Sequence, residues 1–327
     1  MADKKLRWGL LSTARINRAV IPPIRASARN ELLAVASRTR ETGEAYAREW
    51  GIPRLHVGYE ALLADPEIDA IYISLPNSLH AEWSIKCAEA GKNVLCEKPL
   101  AITIAEVERM MAAARKNRTV LAEAFMYRHH PQTLKVRELI QQGVIGKPSS
   151  VHGRFTFSIA TEDDVRLDPD LGGGSVWDVG CYPVSYTRSA LGEEPIEVFG
   201  WQRLTARGVE NTFAGTMRFA SGVLATFDCG FRSPQRWGME IVGAEGTITL
   251  TNPFKPGMND IILLRRGDQT DAIPVTPQEL YIGEVEDMAD AVLDGKPPRI
   301  SLEDSLANVK TLLALYQSAK EGKPIKL

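Results

Sequence analysis

An alternation in the first third of the chain restricts the fold more than any other feature: short apolar runs of strand length separated by helical patterns. Leu6 to Leu11 is the first run and Glu31 to Arg38 the second. Ile68 to Leu75, Asn93 to Cys96 and Thr119 to Ala124 follow. Helical patterns fill the gaps, for example His80 to Ala90. Another opens at Thr103, with Glu106 at a capping-box spacing. Strands that alternate with helices predict an α/β chain with a doubly wound parallel sheet.

After about residue 148 the pattern changes. Strand-like segments now follow one another: Ser150 to Ser158, Ile196 to Thr205, Thr212 to Phe219, Gly222 to Phe231, Met239 to Leu250 and Asp260 to Arg266. Gly222, Gly243 and Gly246 mark turns. Helical stretches near Ser175 to Leu191 and Leu302 to Glu321 interrupt or close the series. This half reads as an α+β domain with a mostly antiparallel sheet. The expected domains are 1–127 and 128–327.

Bulk properties exclude several function classes. A chain of 327 residues, 44% hydrophobic and 24% charged, has the balance of a globular protein with a sizeable core. Its 39 basic and 41 acidic residues give a net charge of −2, which is no electrostatic footprint for nucleic acid. No apolar run reaches membrane-spanning length. Neither is there a signal-peptide pattern ahead of Leu6. Cys87, Cys96, Cys181 and Cys229 form no Cys-x-x-Cys pair, so reduced thiols in a cytoplasmic protein are expected. The histidines are scattered apart from His129-His130. Adjacent residues do not share a helix face, so no metal site is expected.

The turn after the first strand reads Gly9-Leu10-Leu11-Ser12-Thr13-Ala14-Arg15-Ile16. A full dinucleotide fingerprint carries glycine where Ser12 and Ala14 stand. Small side chains still let the amides of a following helix N-terminus face an anion. Gly9, Ser12, Thr13, Ala14, Arg15 and Ile16 are therefore candidate cofactor contacts, the alternative being an ordinary strand-to-helix turn. The second strand ends in Ser37-Arg38-Thr39-Arg40. An NAD site usually has an acid there for the ribose hydroxyls. A hydroxyl at Ser37 and a guanidinium at Arg38 favour NADP over NAD, unless the arginines are simply solvated.

The run Asn93 to Pro99 ends in Glu97-Lys98-Pro99. Ligands of an open α/β sheet bind beyond the carboxyl ends of its strands. The pair either places a cation where cofactor and substrate meet or is a surface salt pair. A second constellation is Gly172-Gly173-Gly174-Ser175-Val176-Trp177-Asp178-Val179-Gly180-Cys181-Tyr182. Ser175 is a plausible N-cap. Asp178 and Tyr182 are four apart, on one helix face. A carboxylate and a phenol there suit a substrate hydroxyl and its proton, and equally a structural Tyr bonded to a capping Asp. A phenol ionises near pH 10, and a neighbouring cation such as Lys98 lowers that. Pro183 follows directly and deprives a helix of one hydrogen bond, so a kink near Tyr182 is expected.

Taken together, the opening strand-turn, Leu75-Pro76-Asn77-Ser78-Leu79-His80, Glu97-Lys98-Pro99, Gly172 to Tyr182 and Leu191-Gly192-Glu193-Glu194-Pro195 resemble the Gfo/Idh/MocA oxidoreductases over nearly the whole chain. The resemblance implies a Rossmann domain followed by an α/β domain with a large open sheet. It implies hydride transfer between a nicotinamide and an aldose, polyol or keto-sugar. Tyr at 182, where many members have His, is similar to the branch of glucose–fructose oxidoreductase, aldose dehydrogenase and dimeric dihydrodiol dehydrogenase. By the same resemblance Lys98 orients substrate and stabilises developing charge, Asp178 holds a substrate hydroxyl and Tyr182 transfers the proton. Leu75, Pro76, Asn77, His80, Glu97 and Lys98 line the cofactor, and Arg128 and His130 are candidate sugar contacts. The alternatives are trans-dihydrodiol dehydrogenase chemistry, a sugar–sugar oxidoreductase, or a non-catalytic NADP-binding regulator. A homodimer or homotetramer is expected, with no membrane or nucleic-acid partner.

Overall fold

A computed structural model describes residues 4–161 and 163–327 and divides the chain into two compact units. The first comprises residues through Met126 together with Tyr281–Leu306, and the second Tyr127–Leu280 with Ala307–Leu327.

In the first unit six parallel strands lie in the order β3-β2-β1-β4-β5-β6. They are β1 (Leu6–Leu11), β2 (Asn30–Ser37), β3 (Arg54–Val57), β4 (Ala70–Ile73), β5 (Asn93–Glu97) and β6 (Leu121–Ala124). The helices between them are α1 (Asn17–Ala26), α2 (Arg40–Trp50), α3 (Tyr59–Leu63), α4 (His80–Glu89) and α5 (Ile104–Asn117). Each central strand is buried on both faces, which explains its continuous apolar run. α5 starts at Thr103, whose hydroxyl accepts the Glu106 N–H at 3.2 Å. Strand order reverses at β1 and β4, creating the crevice at which doubly wound sheets bind ligands.

The second unit begins with α6 (Pro131–Gln141), β7 (Pro148–Ser158) and α7 (Cys181–Leu191). Strands β8 (Pro195–Leu204), β9 (Glu210–Phe219), β10 (Leu224–Gly230), β11 (Arg232–Gly243), β12 (Thr247–Leu250), β13 (Ile261–Arg266) and β14 (Gln269–Pro274) follow. α8 (Ile282–Leu293) returns to the first unit, where it packs on α1, β1 and β2. α9 (Leu302–Glu321) and β15 (Ile325–Lys326) end the chain. The nine-stranded sheet runs β14-β13-β12-β11-β7-β10-β9-β8-β15, and only the β7–β10 pair is parallel. Met239 to Leu250, one run in the sequence, is two strands joined at Gly243–Gly246. Strict alternation along β9 buries Phe213, Met217 and Phe219 on one face and exposes Ala214, Thr216 and Arg218 on the other.

Candidate functional site

In the first unit most of the expected cofactor residues lie at or just past the carboxyl ends of β1, β2, β4 and β5, whereas Gly9 lies inside β1, where a Cβ would come within 2.9 Å of Leu62. Ser12 stands at φ 143°, a conformation rare for a residue with a side chain, where the fingerprint has glycine. Its polar atoms hold it there. The Ser12 and Ser74 hydroxyls are 2.9 Å apart, the Ala14 N–H donates to Ser12 Oγ at 3.1 Å, and the Asn17 amide donates to the Ser12 carbonyl at 2.7 Å. Ser74 in turn donates to Asn17 Oδ1 at 2.6 Å. Hydroxyls thus join the ends of β1 and β4 at the point of reversal. Thr13 and Ala14 are half-buried, Arg15 and Ile16 exposed, and Ile16, the N-cap of α1, makes no side-chain cap bond. The Asn17 and Ala19 N–H groups donate to the Ala14 and Ile16 carbonyls at 3.1 and 2.9 Å, and the positive end of the helix suits a phosphate.

At the end of β2, Ser37 is buried and Arg38 exposed. Thr39 caps α2 by accepting the Thr42 N–H at 3.4 Å. Arg40 lies 3.5 Å from Glu44. The Tyr59 phenol is pushed up by burial while the Arg38 cation pulls the other way, which places Arg38 within electrostatic reach of α3. Small residues, a helix start without a side-chain cap and an exposed guanidinium together fit a dinucleotide bearing a 2′-phosphate.

The Glu97 carboxylate accepts the Tyr72 hydroxyl from the neighbouring strand and the Lys98 N–H at 3.2 Å. Burial, then Glu97, holds the Tyr72 phenol well above its ordinary value. Lys98 is half-buried past β5 and its peptide bond to Pro99 is cis. Leu75 is buried, whereas Pro76 and Asn77 are half-buried. His80 departs from the expected lining role, because its ring is wholly buried. Nδ1 lies 2.8 Å from the Pro99 carbonyl and Nε2 2.9 Å from that of Leu75. It ties together the loops that carry Asn77 and Lys98, and burial lowers its pKa.

The second unit holds the other candidates. Residues Val176–Gly180 wind as a π-helix, with the Cys181 N–H donating to the Val176 carbonyl, and α7 continues from there. The Asp178–Tyr182 spacing therefore spans a change of helical pitch, a feature frequent at functional sites. Ser175 holds the N-cap position expected of it, but with helical dihedrals and no side-chain cap bond. Instead Glu210 of β9 accepts the Ser175 and Val176 N–H groups, at 2.5 and 2.6 Å. Pro183 rests on the sheet at Gly153, where a Cβ would lie 2.6 Å from Pro183 Cβ and 2.8 Å from Met239 Sδ. That close approach seats the helix.

Tyr182 is 5% exposed. Its ring centroid lies 5.3 Å from that of Phe155 and 5.6 Å from those of Tyr127 and Phe254. Asp178 Oδ2 accepts from Arg166 Nε at 2.9 Å, and Arg166 also reaches Asp164 at 3.2 Å. Burial works against the Arg166 charge, but Asp178 and Asp164 outweigh it and raise its pKa. Arg128 donates to the Ser185 hydroxyl at 3.1 Å, which brings it to α7. His130 goes elsewhere. It is wholly buried, its Nδ1 accepts the Gln132 N–H at 3.1 Å as the cap of α6, and its Nε2 lies 3.2 Å from the Gln278 carbonyl. With both nitrogens engaged inside the protein, it is a structural cap rather than the sugar contact expected.

Among the described residues no group of three or more His, Cys, Asp or Glu could hold a metal ion, and no helix is long and apolar enough to cross a membrane. Sequence reading missed Arg166, Glu210 and the aromatic ring set around Tyr182. All three are tertiary contacts without a local pattern.

Residues 6–125 match the model of the oxidoreductase family with an NAD-binding Rossmann fold, and 133–249 match the Gfo/Idh/MocA C-terminal domain. The chain is 37% identical to a D-xylose 1-dehydrogenase (NADP(+)) of Haloferax volcanii, over 98% of this chain and 100% of that one. A 3-ketoreductase from Actinomadura kijaniata, solved with NADP and TDP-benzene, superposes with a TM-score of 0.91 at 30% identity, covering 96% of this chain and 98% of that one. An aldose–aldose oxidoreductase from Caulobacter crescentus complexed with glycerol gives 0.92 at 26% identity, covering 99% and 100%. From the strand order, the residues at the strand ends and these end-to-end matches, it follows that the chain belongs to the Gfo/Idh/MocA family of oxidoreductases.

Proposed function

We propose that the protein catalyses NADP(H)-dependent hydride transfer at a hydroxyl-bearing carbon of an aldose or related cyclic polyol, or reduction of the matching keto-sugar. One observation carries the reading: a chain that matches an NADP-dependent D-xylose dehydrogenase end to end has Arg38 and no acid at the end of β2. Ser12, Thr13, Ala14, Arg15 and Ile16 are assigned to the pyrophosphate, Ser37 and Arg38 to the adenosine ribose and its phosphate, and Gly9, Leu75, Pro76, Asn77, Glu97 and Lys98 to the rest of the cofactor site.

Nicotinamide, when bound, accepts the hydride in oxidation and supplies it in reduction. The remaining steps belong to the chain. Tyr182 takes the hydroxyl proton as the C–H bond is lost and returns it in reduction. Lys98 stabilises the developing alkoxide charge. Asp178, oriented by Arg166, accepts a hydrogen bond from a substrate hydroxyl, and Arg128, held against α7 through Ser185, contributes to the sugar site. A second reading, oxidation of one aldose coupled to reduction of another on a retained cofactor, is favoured by the likeness to the aldose–aldose oxidoreductase. Trans-dihydrodiol oxidation is the third.

The test is turnover by the purified chain with NADP+ and a panel of aldoses and a trans-dihydrodiol, followed by dialysis. Aldose oxidation that needs added NADP+ supports the leading reading. Turnover that survives dialysis without added cofactor supports the second, dihydrodiol turnover alone the third, and no turnover with any sugar overturns the first two.

We further propose a homodimer or homotetramer assembled through the open sheet face. Trp201 is 67% and Leu224 56% exposed there, beside Thr216 and Thr226. Exposed apolar area of that kind marks an interface, and a monomeric mass by light scattering would contradict it. Burial of all four cysteines supports residence in the reducing cytoplasm.

A further inference from the structure

The helix that carries Asp178 and Tyr182 has its start fixed from outside itself. Ser175 supplies no side-chain cap. The first two N–H groups, of Ser175 and Val176, both donate to the buried carboxylate of Glu210, 35 and 34 residues away on β9. Tyr316 of α9 completes the arrangement by donating its hydroxyl to Glu210 Oε1 at 2.6 Å. Gly174, at φ 136°, makes room: a Cβ there would lie 2.5 Å from the Tyr316 hydroxyl and 3.0 Å from Glu210 Oε1. Three donors thus converge on one anion at the positive end of a helix, where negative charge is stabilising. The wider π-helical turn follows at once, and Asp178 sits in it.

We propose that Glu210 is a positioning residue for the reaction: by accepting the Ser175 and Val176 amides and the Tyr316 hydroxyl, it sets the start of the helix and thereby the aim of Asp178 and Tyr182. The role rests on the function proposed above. Burial pushes the Glu210 carboxyl up to about 7 against the hydrogen bonds it accepts. The groups that face it are Tyr316 on α9, Ser175 on the helix and Cys229 on β10, and burial holds Tyr316 and Cys229 neutral. A protonated acid is the weaker acceptor. The anchor is therefore tight above neutrality and loosens below it.

The experiment uses the full chain, D-xylose and NADP+, with Glu210→Gln and Tyr316→Phe. Displacement of reacting groups by about 1 Å costs about 100-fold in rate, so Glu210→Gln should lower kcat by roughly 10- to 100-fold. NADP+ affinity should be unchanged, because the first unit is untouched. The acid limb of the kcat profile near pH 7 should vanish in Glu210→Gln and move to higher pH in Tyr316→Phe, which removes a bond that favours the carboxylate. Packing alone would move neither limb. Independently of substrate, backbone amides in residues 172–184 should exchange faster in Glu210→Gln, while those of β1 to β6 stay protected. Wild-type kcat and pH profile in Glu210→Gln would overturn the role. Should the unmodified chain not turn over D-xylose, the function reading fails for that sugar, and unchanged exchange over 172–184 would by itself overturn the anchoring.

Discussion

Arg38→Ala removes a single exposed guanidinium and leaves its neighbours in place: Ser37 stays buried and Thr39 still caps α2. The fold should tolerate it. What changes is the site assigned to the 2′-phosphate. A hydrogen bond to a charged group contributes about 1.5–3 kcal/mol. Arg38 lies in solvent, where screening weakens it, so the lower figure applies; about 1.5 kcal/mol is a loss of roughly tenfold in NADP+ affinity. Arg40 cannot fully replace it, because it faces Glu44 at 3.5 Å. NAD+ has no phosphate at that position and should bind as before. Calorimetric titration of both proteins with both cofactors, at low and high salt, reads this directly. The NADP+ deficit should shrink as salt rises, as expected for an exposed charge pair. Equal losses for the two cofactors would refute the assignment, and so would a deficit indifferent to salt.

Tyr182→Phe keeps the ring packing against Phe155, Tyr127 and Phe254 but deletes the phenol, so kcat should fall by about 10²–10⁴-fold with NADP+ affinity unchanged; near-full turnover would return Tyr182 to packing. Gly153→Ala forces a methyl into Pro183 and Met239, and should destabilise by about 1–3 kcal/mol in a denaturant titration, with kcat reduced as the helix lifts. Ser12→Ala keeps the strained φ while losing two hydroxyl contacts, at about 1 kcal/mol each, whereas Ser12→Gly relieves the strain and should be the more stable of the two. The Glu210 carboxyl is raised from 4.5 to about 7, so the folded state binds this proton more tightly than the unfolded chain. Its contribution to stability is full below pH 4.5 and is lost as pH rises through about 7, amounting to about 3 kcal/mol. In Glu210→Gln that slope should flatten; a parallel pH–stability curve would contradict the burial of an ionising acid.

Much of the fold was legible because burial writes period and length into sequence. Leu6–Leu11 is a strand with the bounds its apolar run predicts, and Thr103 caps α5 with Glu106 three residues on. β3 and β14 escaped because they are edge strands with half-exposed or polar residues, and β15 is only two residues long. Met239 to Leu250 looked like one strand because the turn is short; the buried set shifts from Met239 and Ile241 before it to Ile248 and Leu250 after it. For the site, strand ends are predictable, so Arg38 and Lys98 could be singled out in advance. Whether a polar side chain near such an end faces solvent or the interior is not written locally. His80 and His130 turned out to be buried for that reason. The pairing of Asp178 with Arg166, and of Ser175 with Glu210, depends on β9 and the preceding loop folding onto the helix, and no spacing rule encodes it.

The return of α8 to the first unit has a consequence for how the protein is made. Val285, Met288 and Ala289 on this helix are buried, and α8 covers α1, β1 and β2. Yet the ribosome delivers it only after the roughly 150 residues of Tyr127–Leu280. At the usual speeds of chain elongation that interval is on the order of ten seconds. Throughout it the nascent nucleotide-binding sheet carries an uncovered apolar patch, and an expression fragment cut at Met126 would carry the same patch permanently. The practical shape of an isolated cofactor module is therefore a fusion, with residues 281–306 joined by a short linker behind β6, rather than a simple truncation after Met126.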